Sequence, residues 1–187
     1  LIDILYEIKR ESKNEEIRQL SSNVIQNIVS LQPGTQAIDF ELVDKNGTKV
    51  SLASFKGKYV YINFWAIWSK ESIAEMMLLK KLKEDYKENI AFISINLDSK
   101  KSKFDKFMAS HPEFDWTMLY YQEDANLLDS YEVYSVPHYI LIDAEGRIVS
   151  APAARPSPNG TYESVDKTFF EIKKKSAKKR RFDIGIK

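Results

Sequence analysis

The stretch Tyr59-Val-Tyr-Ile-Asn-Phe-Trp-Ala-Ile-Trp68, followed at once by Ser69-Lys-Glu-Ser-Ile-Ala-Glu-Met76, decides the fold. Its first part is almost continuously apolar, as expected for a strand that is covered on both faces. Apolar residues then recur at helical spacing over residues 70–88, which predicts a helix there. A buried strand that leads directly into a helix indicates an α/β fold. The helix side chains expected to face the core are Ile73, Met76, Met77, Leu79 and Leu82.

Segments on both sides extend this α/β pattern. Residues 37–52 alternate apolar and polar side chains around the turn Asp44-Lys-Asn-Gly47, which predicts a β-hairpin. Strands that alternate with helices further along predict a central, partly parallel sheet with helices on both faces. These strands are expected at residues 90–97, 138–143 and 147–150, and the helices at 100–110, 125–131 and 162–178.

Residues 1–31 precede this pattern and are mostly polar. Within them, Ile17, Leu20, Val24 and Ile28 are spaced by three and four residues, which predicts one apolar face of a helix. Pro33-Gly34 marks the end of this helical stretch. We therefore expect residues 1–31 to form a helical extension or the end of an upstream domain.

The 187-residue chain contains no cysteine, and its 28 basic and 27 acidic residues are unevenly distributed. Residues 167–187 contain nine basic and two acidic side chains, so they carry a net charge of +7 and leave −6 on residues 1–166. The absence of cysteine excludes disulfides, thiol nucleophiles and thiolate metal sites. Two isolated histidines give no ligand cluster, so no metal is expected.

The basic side chains are most concentrated in residues 173–181. Lysine and arginine stabilise a helix C-terminus, and we favour this interpretation of the segment. Contact with nucleic acid or anionic lipid is the alternative. No nucleic-acid-binding motif accompanies the segment, so no nucleic acid partner is expected. No apolar run reaches the ~18 residues of a membrane span, so membrane proximity would depend on an upstream anchor.

Four motifs together resemble a known family. Pro33-Gly34 is followed by Ala37-x-Asp39-Phe40, and Phe64-Trp-Ala-Ile-Trp68 precedes the predicted helix. Val136-Pro137-His138 precedes the strand Tyr-Ile-Leu-Ile-Asp143, and Ala151-Pro-Ala-Ala-Arg-Pro-Ser157 precedes the last helix. In this combination residues 32–178 resemble thioredoxin-like proteins of the TlpA/ResA type, the redoxin or AhpC/TSA-like group of bacterial envelope thiol-disulfide oxidoreductases.

The resemblance implies a thioredoxin-like α/β fold over residues 32–178, in which a central mixed sheet is flanked by helices. An N-terminal β-hairpin and the helical extension of residues 1–31 would be added to this fold, and residues 179–187 would form a basic tail. The resemblance also implies a location in the periplasm or cell envelope.

Ser69 and Ser72 stand where this family has the two cysteines of its Cys-x-x-Cys motif. Thiol–disulfide exchange needs a thiolate, whereas a serine hydroxyl forms no S–S bond. The sequence therefore predicts no catalytic residue and no cofactor. Asn63 occupies the position where thioredoxins have a buried carboxylate, so a general base is also missing there. Peroxiredoxin chemistry is excluded as well, because it requires a cysteine that the chain lacks.

Two roles for the serines remain open. Ser72-Ile-Ala-Glu75 fits a capping box at the start of the helix, which is a structural role. The alternative is a serine nucleophile paired with His138, which the resemblance places beside Pro137 and near the serines. No third group or oxyanion hole is evident for such a hydrolase. The serines are either natural, which gives a redox-inactive family member, or replacements of the cysteines.

Pro137 resembles the family's cis-proline, whose neighbouring backbone pairs with an extended substrate strand. The sequence therefore predicts an extended peptide or protein partner at a groove beside Pro137, in a redox-inactive binding module. The alternative is a cell-envelope thiol-disulfide oxidoreductase whose cysteines were replaced by Ser69 and Ser72. For Trp65, a position in the core is the alternative to the groove. The predicted binding residues are Trp65, Trp68, Lys70, Glu71, Val136, Pro137 and His138.

Overall fold

The computed structural model describes residues 1–158 and 164–185, without the side chains of residues 26–28 and 179–185. Its helices are α1 (Ile2–Glu11), α2 (Glu15–Ser30), α3 (Lys70–Tyr86), α4 (Lys101–Ser110), α5 (Ala125–Ser130) and α6 (Val165–Gly185), with a short 3₁₀ helix at Leu52–Phe55. Its strands are β1 (Glu41–Asp44), β2 (Lys49–Ser51), β3 (Tyr59–Trp65), β4 (Ile90–Asn96), β5 (Thr117–Tyr120), β6 (His138–Ile142) and β7 (Ile148–Ser150).

The strands form one mixed sheet in the order β2-β1-β5-β4-β3-β6-β7. Strands β3, β4 and β5 run parallel to one another, whereas β6 pairs antiparallel with β3 and β7 antiparallel with β6. The predicted hairpin is present as β1 and β2, and β1 joins the sheet antiparallel to β5. This is the thioredoxin-like α/β fold that the sequence predicts.

Side chains of β3 alternate between the two faces of the sheet, as the period of a strand requires. Ile62 and Phe64 pack on the face that is covered by α5 and the 3₁₀ helix. Tyr61 and Trp65 pack on the opposite face, beneath α3, α4 and α6. Any group on α3 therefore meets only the second face of the sheet.

The N-terminal stretch is helical, as predicted. It forms two helices, because Asn14 caps a new helix by accepting a hydrogen bond from the Glu16 N–H at 2.8 Å. The predicted apolar face of α2 is exposed at Ile17, Leu20 and Val24, and the fourth member, Ile28, lies outside the described side chains.

On α3, Met77 is exposed although the pattern placed it in the core. The buried face of this helix follows positions 72, 75, 76, 79, 82 and 86, which puts Met77 about 100° around the helix from Met76. Helix α6 continues to Gly185, so the part of the predicted basic tail that the structure describes is helical. The predicted start of this helix, at residue 162, lies outside the described residues.

Strand β5 has no counterpart in the sequence prediction. It contains only four residues, and Met118 and Tyr120 face one side of the sheet while Leu119 faces the other. Such a short apolar segment carries too little periodicity to be separated from a loop. Among the described helices, none combines the length and the hydrophobicity of a membrane span.

Candidate functional site

The two serines of interest lie at the start of α3, just beyond the carboxyl end of β3. Ser69 is the N-cap of the helix, and its Oγ accepts a hydrogen bond from the Ser72 N–H at 3.1 Å. The predicted capping box, with Ser72 as N-cap and Glu75 as its partner, is therefore wrong. Ser72 lies inside the helix and is fully buried, and its Oγ has no hydrogen-bond partner.

Glu75, one turn further along α3, is a buried carboxylate that the sequence analysis missed as a site residue. Only 4% of this residue is exposed. Its Oε2 accepts a hydrogen bond from the Ser157 N–H at 3.0 Å, and its Oε1 accepts one from the Ser157 hydroxyl. Arg155 Nη1 lies 3.8 Å from Oε1 and 2.5 Å from Glu71 Oε1. The only signal for this site in the sequence was the motif Arg155-Pro-Ser157. Because Ser157 lies 82 positions after Glu75, the sequence did not show that the two residues are in contact.

Residues 151–158, which we call the strap, connect β7 to the segment before α6 and lie against this carboxylate. The strap is fixed to the sheet by the Ala153 N–H, which donates to the Tyr139 carbonyl at 2.7 Å. The Tyr61 hydroxyl also donates to the Ala154 carbonyl at 2.6 Å. Tyr61 and Tyr139 stack with 5.4 Å between their ring centroids. The strap therefore closes one side of the site with ordered backbone.

Burial governs the ionisation of the two tyrosines. It raises the pKa of Tyr61 and of Tyr139 well above the usual range, and the negative charge of Glu75 acts in the same direction on both. The Tyr139 hydroxyl, like that of Ser72, is buried without a hydrogen-bond partner. The interior of the site thus presents neutral hydroxyl groups beside one charge-compensated carboxylate.

A second buried carboxylate, Asp98, fixes the loop that leads into α3. Its Oδ2 accepts hydrogen bonds from the Ile67 N–H at 2.7 Å and from Asn96 Nδ2 at 2.9 Å. This anchor sets the backbone immediately before Trp68, whose side chain is 71% exposed. The loop therefore presents an aromatic side chain to solvent next to the two serines.

The segment around Pro137 borders the same end of the sheet. The Val136–Pro137 peptide bond is cis, and Val136, Pro137 and His138 are all partly buried. Tyr134, three residues earlier, is 83% exposed. Lys70 and Glu71, at the start of α3, are exposed as well. Apart from Trp65, the predicted binding residues thus lie at least partly at the surface.

Trp65 and His138 depart from the predicted site in different ways. Trp65 is fully buried in the core, with its ring tilted against Phe107, so it presents no surface to a partner. The His138 ring lies against Phe64, on the face of the sheet opposite α3. The expectation that the His138 side chain lies near the serines is therefore wrong, because strand alternation points Tyr139 to that side instead.

A serine hydrolase finds no support in this geometry. His138 Nε2 and Ser72 Oγ are both without hydrogen-bond partners, so neither serves the other as base or nucleophile. Burial also lowers the pKa of His138. Asn63 is a core amide whose Nδ2 lies 3.1 Å from Met76 Sδ. Among the described residues, no three His, Asp or Glu side chains group together as metal ligands.

The fold, the cis peptide bond before Pro137 and the helix that begins at Ser69 define a thioredoxin-like protein whose dithiol positions hold serine. Residues 33–151 match the model of the AhpC/TSA family, which is more than half of the chain. The chain belongs to this family.

Three relatives support the same placement. The thioredoxin-like protein YneN of Bacillus subtilis is 33% identical over 120 residues, which are 64% of this chain and 71% of the relative. The thiol-disulfide oxidoreductase ResA of the same organism is 30% identical over 64% of this chain and 66% of its own length. Among solved structures, a candidate thiol-disulfide oxidoreductase from Bacteroides vulgatus is 34% identical with a TM-score of 0.65, covering 71% of this chain and 93% of that one.

Proposed function

We propose that this protein is a redox-inactive, thioredoxin-like binding module that holds an extended peptide or protein segment beside Pro137. The observation that carries the proposal is the presence of Ser69 and Ser72 at the dithiol positions of a thioredoxin-like site. The helix start is capped, the bond before Pro137 is cis and Trp68 is exposed beside the serines. These features support a surface that accepts a polypeptide chain, whereas the thiolate chemistry is absent.

Two exposed aromatic side chains give this binding site its proposed anchors. Trp68 precedes the first serine and Tyr134 precedes Pro137, and both have most of their surface in solvent. Exposed aromatic side chains are enriched among the residues that dominate binding energy, because they bury a large area at little entropic cost. The proposed partner is therefore an extended segment with apolar side chains that cover these rings.

Insulin reduction by dithiothreitol tests the redox part of the proposal. The chain as given should not accelerate the reaction, whereas the Ser69→Cys/Ser72→Cys variant should. A matched control is Ser99→Cys/Ser102→Cys, which places the same spacing at the start of α4, at two exposed positions. Acceleration by the unmodified chain would overturn redox inactivity. No acceleration by any variant would show that the site differs from an active one by more than two sulfur atoms.

Titration with carboxymethylated α-lactalbumin, an unfolded chain without free thiols, tests the binding part. We expect binding that Trp68→Ala and Tyr134→Ala each weaken at least about fivefold. Tyr6→Ala removes an exposed aromatic ring on α1 and should leave the affinity unchanged. Absence of binding by the unmodified chain would contradict the proposal, as would equal losses in all three variants.

The alternative is a thiol-disulfide oxidoreductase whose cysteines were replaced at positions 69 and 72. Its support is the description of the relatives ResA and the Bacteroides vulgatus protein. The codons of the natural gene at these two positions distinguish the two functions. From the resemblance to envelope thiol-disulfide oxidoreductases we propose a location in the periplasm or cell envelope, which fractionation of cells that express the natural gene would test.

A further inference from the structure

Helix α6 changes character halfway along its length. In its first half, Val165, Phe169 and Ile172 pack into the core beneath the sheet, where the Phe169 ring contacts Tyr61, Tyr86 and Phe92. Ile172 is the last residue of the helix that is buried among those with described side chains. The helix nevertheless continues to Gly185, which adds about 20 Å at 1.5 Å per residue. Core packing therefore does not explain the second half.

The second half of α6 carries the densest cluster of positive charge in the protein. Seven of the nine residues at positions 173–181 are lysine or arginine. Lys173 is tied to the body, because its Nζ donates to the Asp85 carbonyl at 3.1 Å and lies over the Tyr86 ring. Lys174, Lys175 and Lys178 are exposed. This charge far exceeds what is needed to stabilise the end of one helix, where only the last turn contributes.

Two apolar side chains are exposed on one side of the same helix. Phe170 is 49% exposed, and Ala177, seven residues later, is also exposed. Residues seven apart lie on one side of a helix. Lys174 Nζ lies 4.5 Å from the centre of the Phe170 ring, so a cationic group and an aromatic ring lie together on this side. Basic residues are attracted to an anionic bilayer, and an aromatic ring exposed among them inserts at the headgroup boundary.

We propose that residues 170–185 of α6 bind the surface of an anionic phospholipid bilayer, independently of the binding site beside Pro137. Each basic residue near such a surface adds to the attraction, and the exposed Phe170 ring enters the headgroup region. Residues 1–166 carry a net charge of −6, so the bilayer repels the body and attracts only the helix. This opposition of charges orients the molecule with α6 against the lipid. A nucleic acid would contact the basic side chains but would leave the exposed apolar side chains in water, so we favour the bilayer as the partner.

Co-sedimentation of the full chain with phospholipid vesicles tests the proposal. We expect binding to vesicles that contain phosphatidylglycerol and no binding to pure phosphatidylcholine. Raising the ionic strength to about 1 M, where the Debye length is about 3 Å, should release the protein. The Lys174→Gln/Lys178→Gln/Arg181→Gln variant should lose at least about tenfold in affinity, because glutamine keeps helix propensity but removes charge.

The matched control is Lys100→Gln/Lys103→Gln/Lys106→Gln, which removes the same charge from exposed positions at and on α4. Its affinity should stay within about twofold of the unmodified chain, since α4 is not in the proposed contact. Equal losses in both triple variants would overturn the assignment to α6, and so would equal binding to neutral vesicles. Binding to duplex DNA with the same dependence on Lys174, Lys178 and Arg181, without vesicle binding, would assign the helix to a nucleic acid instead.

Discussion

Two buried carboxylates, Asp98 and Glu75, each hold one loop of the candidate site through a backbone N–H, but they are compensated in different ways. Asp98 accepts hydrogen bonds only from neutral donors, at Ile67 and Asn96. Glu75 accepts them from Ser157 and also has the Arg155 guanidinium at 3.8 Å. Each carboxylate is at most 4% exposed as a residue.

The difference lies in what happens when each carboxylate is removed. Of the two donors to Asp98, Asn96 lies at the fully buried end of β4, where water has no access, and Ile67 is partly buried in the loop before α3. The donors to Glu75 belong to the strap, in which Ser157 and Arg155 are only half-buried. A buried donor without a partner costs more than one that can turn to water. Asp98 therefore acts as a structural anchor, and Glu75 fastens a strap that can relax.

Removal of the Asp98 carboxylate should have the largest effect. We expect Asp98→Ala to lower the free energy of unfolding by about 2–4 kcal/mol, because the Ile67 N–H and the Asn96 amide lose their acceptor. Urea denaturation measures this loss, and hydrogen exchange should accelerate at the Ile67 amide. Asp105→Ala, at an exposed position on α4, is the matched control. Equal losses in the two variants would refute the anchoring role.

Glu75→Ala should cost less, about 1–2 kcal/mol, because water can reach the Ser157 donors and Arg155 keeps Glu71 as a partner. The loss should be local to the strap. Hydrogen exchange should therefore accelerate at the Ser157 amide and remain unchanged at the Ile67 amide, the reverse of the pattern in Asp98→Ala. Glu88→Ala, at an exposed position, serves as control. If both amides respond to Glu75→Ala, the two carboxylates form one coupled network.

The main frame of the fold follows from local sequence patterns. Local patterns of apolar residues were sufficient to predict most of the sheet, because each pattern is encoded within a few residues. The elements predicted in this way are the β3–α3 junction, the β1–β2 hairpin and strands β4, β6 and β7. Strand β5 was missed because its four residues are paired by β4 and β1, which lie far away in sequence. Whether these four residues form a strand therefore depends on tertiary pairing with β1 and β4.

The candidate site was predictable only in part, for the same reason. The positions of Ser69 and Ser72 follow from the junction, whereas the contact between Glu75 and Ser157 joins residues 82 positions apart. The face on which His138 lies depends on the register of β6 against β3, which the sequence alone does not give. A capping box at Ser72 matched the pattern, but the chain begins the helix one turn earlier, at Ser69.

The free energy of unfolding should depend on pH through His138. Burial lowers the pKa of His138, so the unfolded chain binds a proton more readily than the folded protein. The stability is then fully present above the ordinary pKa of histidine, about 6.5, and decreases as the pH falls below it. Between neutral and mildly acidic pH, the free energy of unfolding should decrease less in His138→Gln than in the unmodified chain. The difference between the two decreases should be smaller than the loss caused by Asp98→Ala or by Glu75→Ala. Unfolding curves across this range, with His111→Gln as control, measure the difference. An undiminished decrease in His138→Gln would assign the acid response to other groups.

The ion pair between Arg155 and Glu71 should contribute least. Its atoms are only 2.5 Å apart, yet the Glu71 side chain is more than half exposed, so water and salt screen the attraction. We expect Glu71→Gln to lower the free energy of unfolding by less than about 1 kcal/mol, and to change it little at high salt. A double-mutant cycle with Arg155→Gln isolates the coupling energy of the pair.

The single Arg155→Gln variant should lower the free energy of unfolding more than Glu71→Gln, because it also removes the guanidinium that compensates Glu75. A coupling energy above about 2 kcal/mol would exceed that of a surface pair and would show that Glu71, rather than Glu75, fastens the strap.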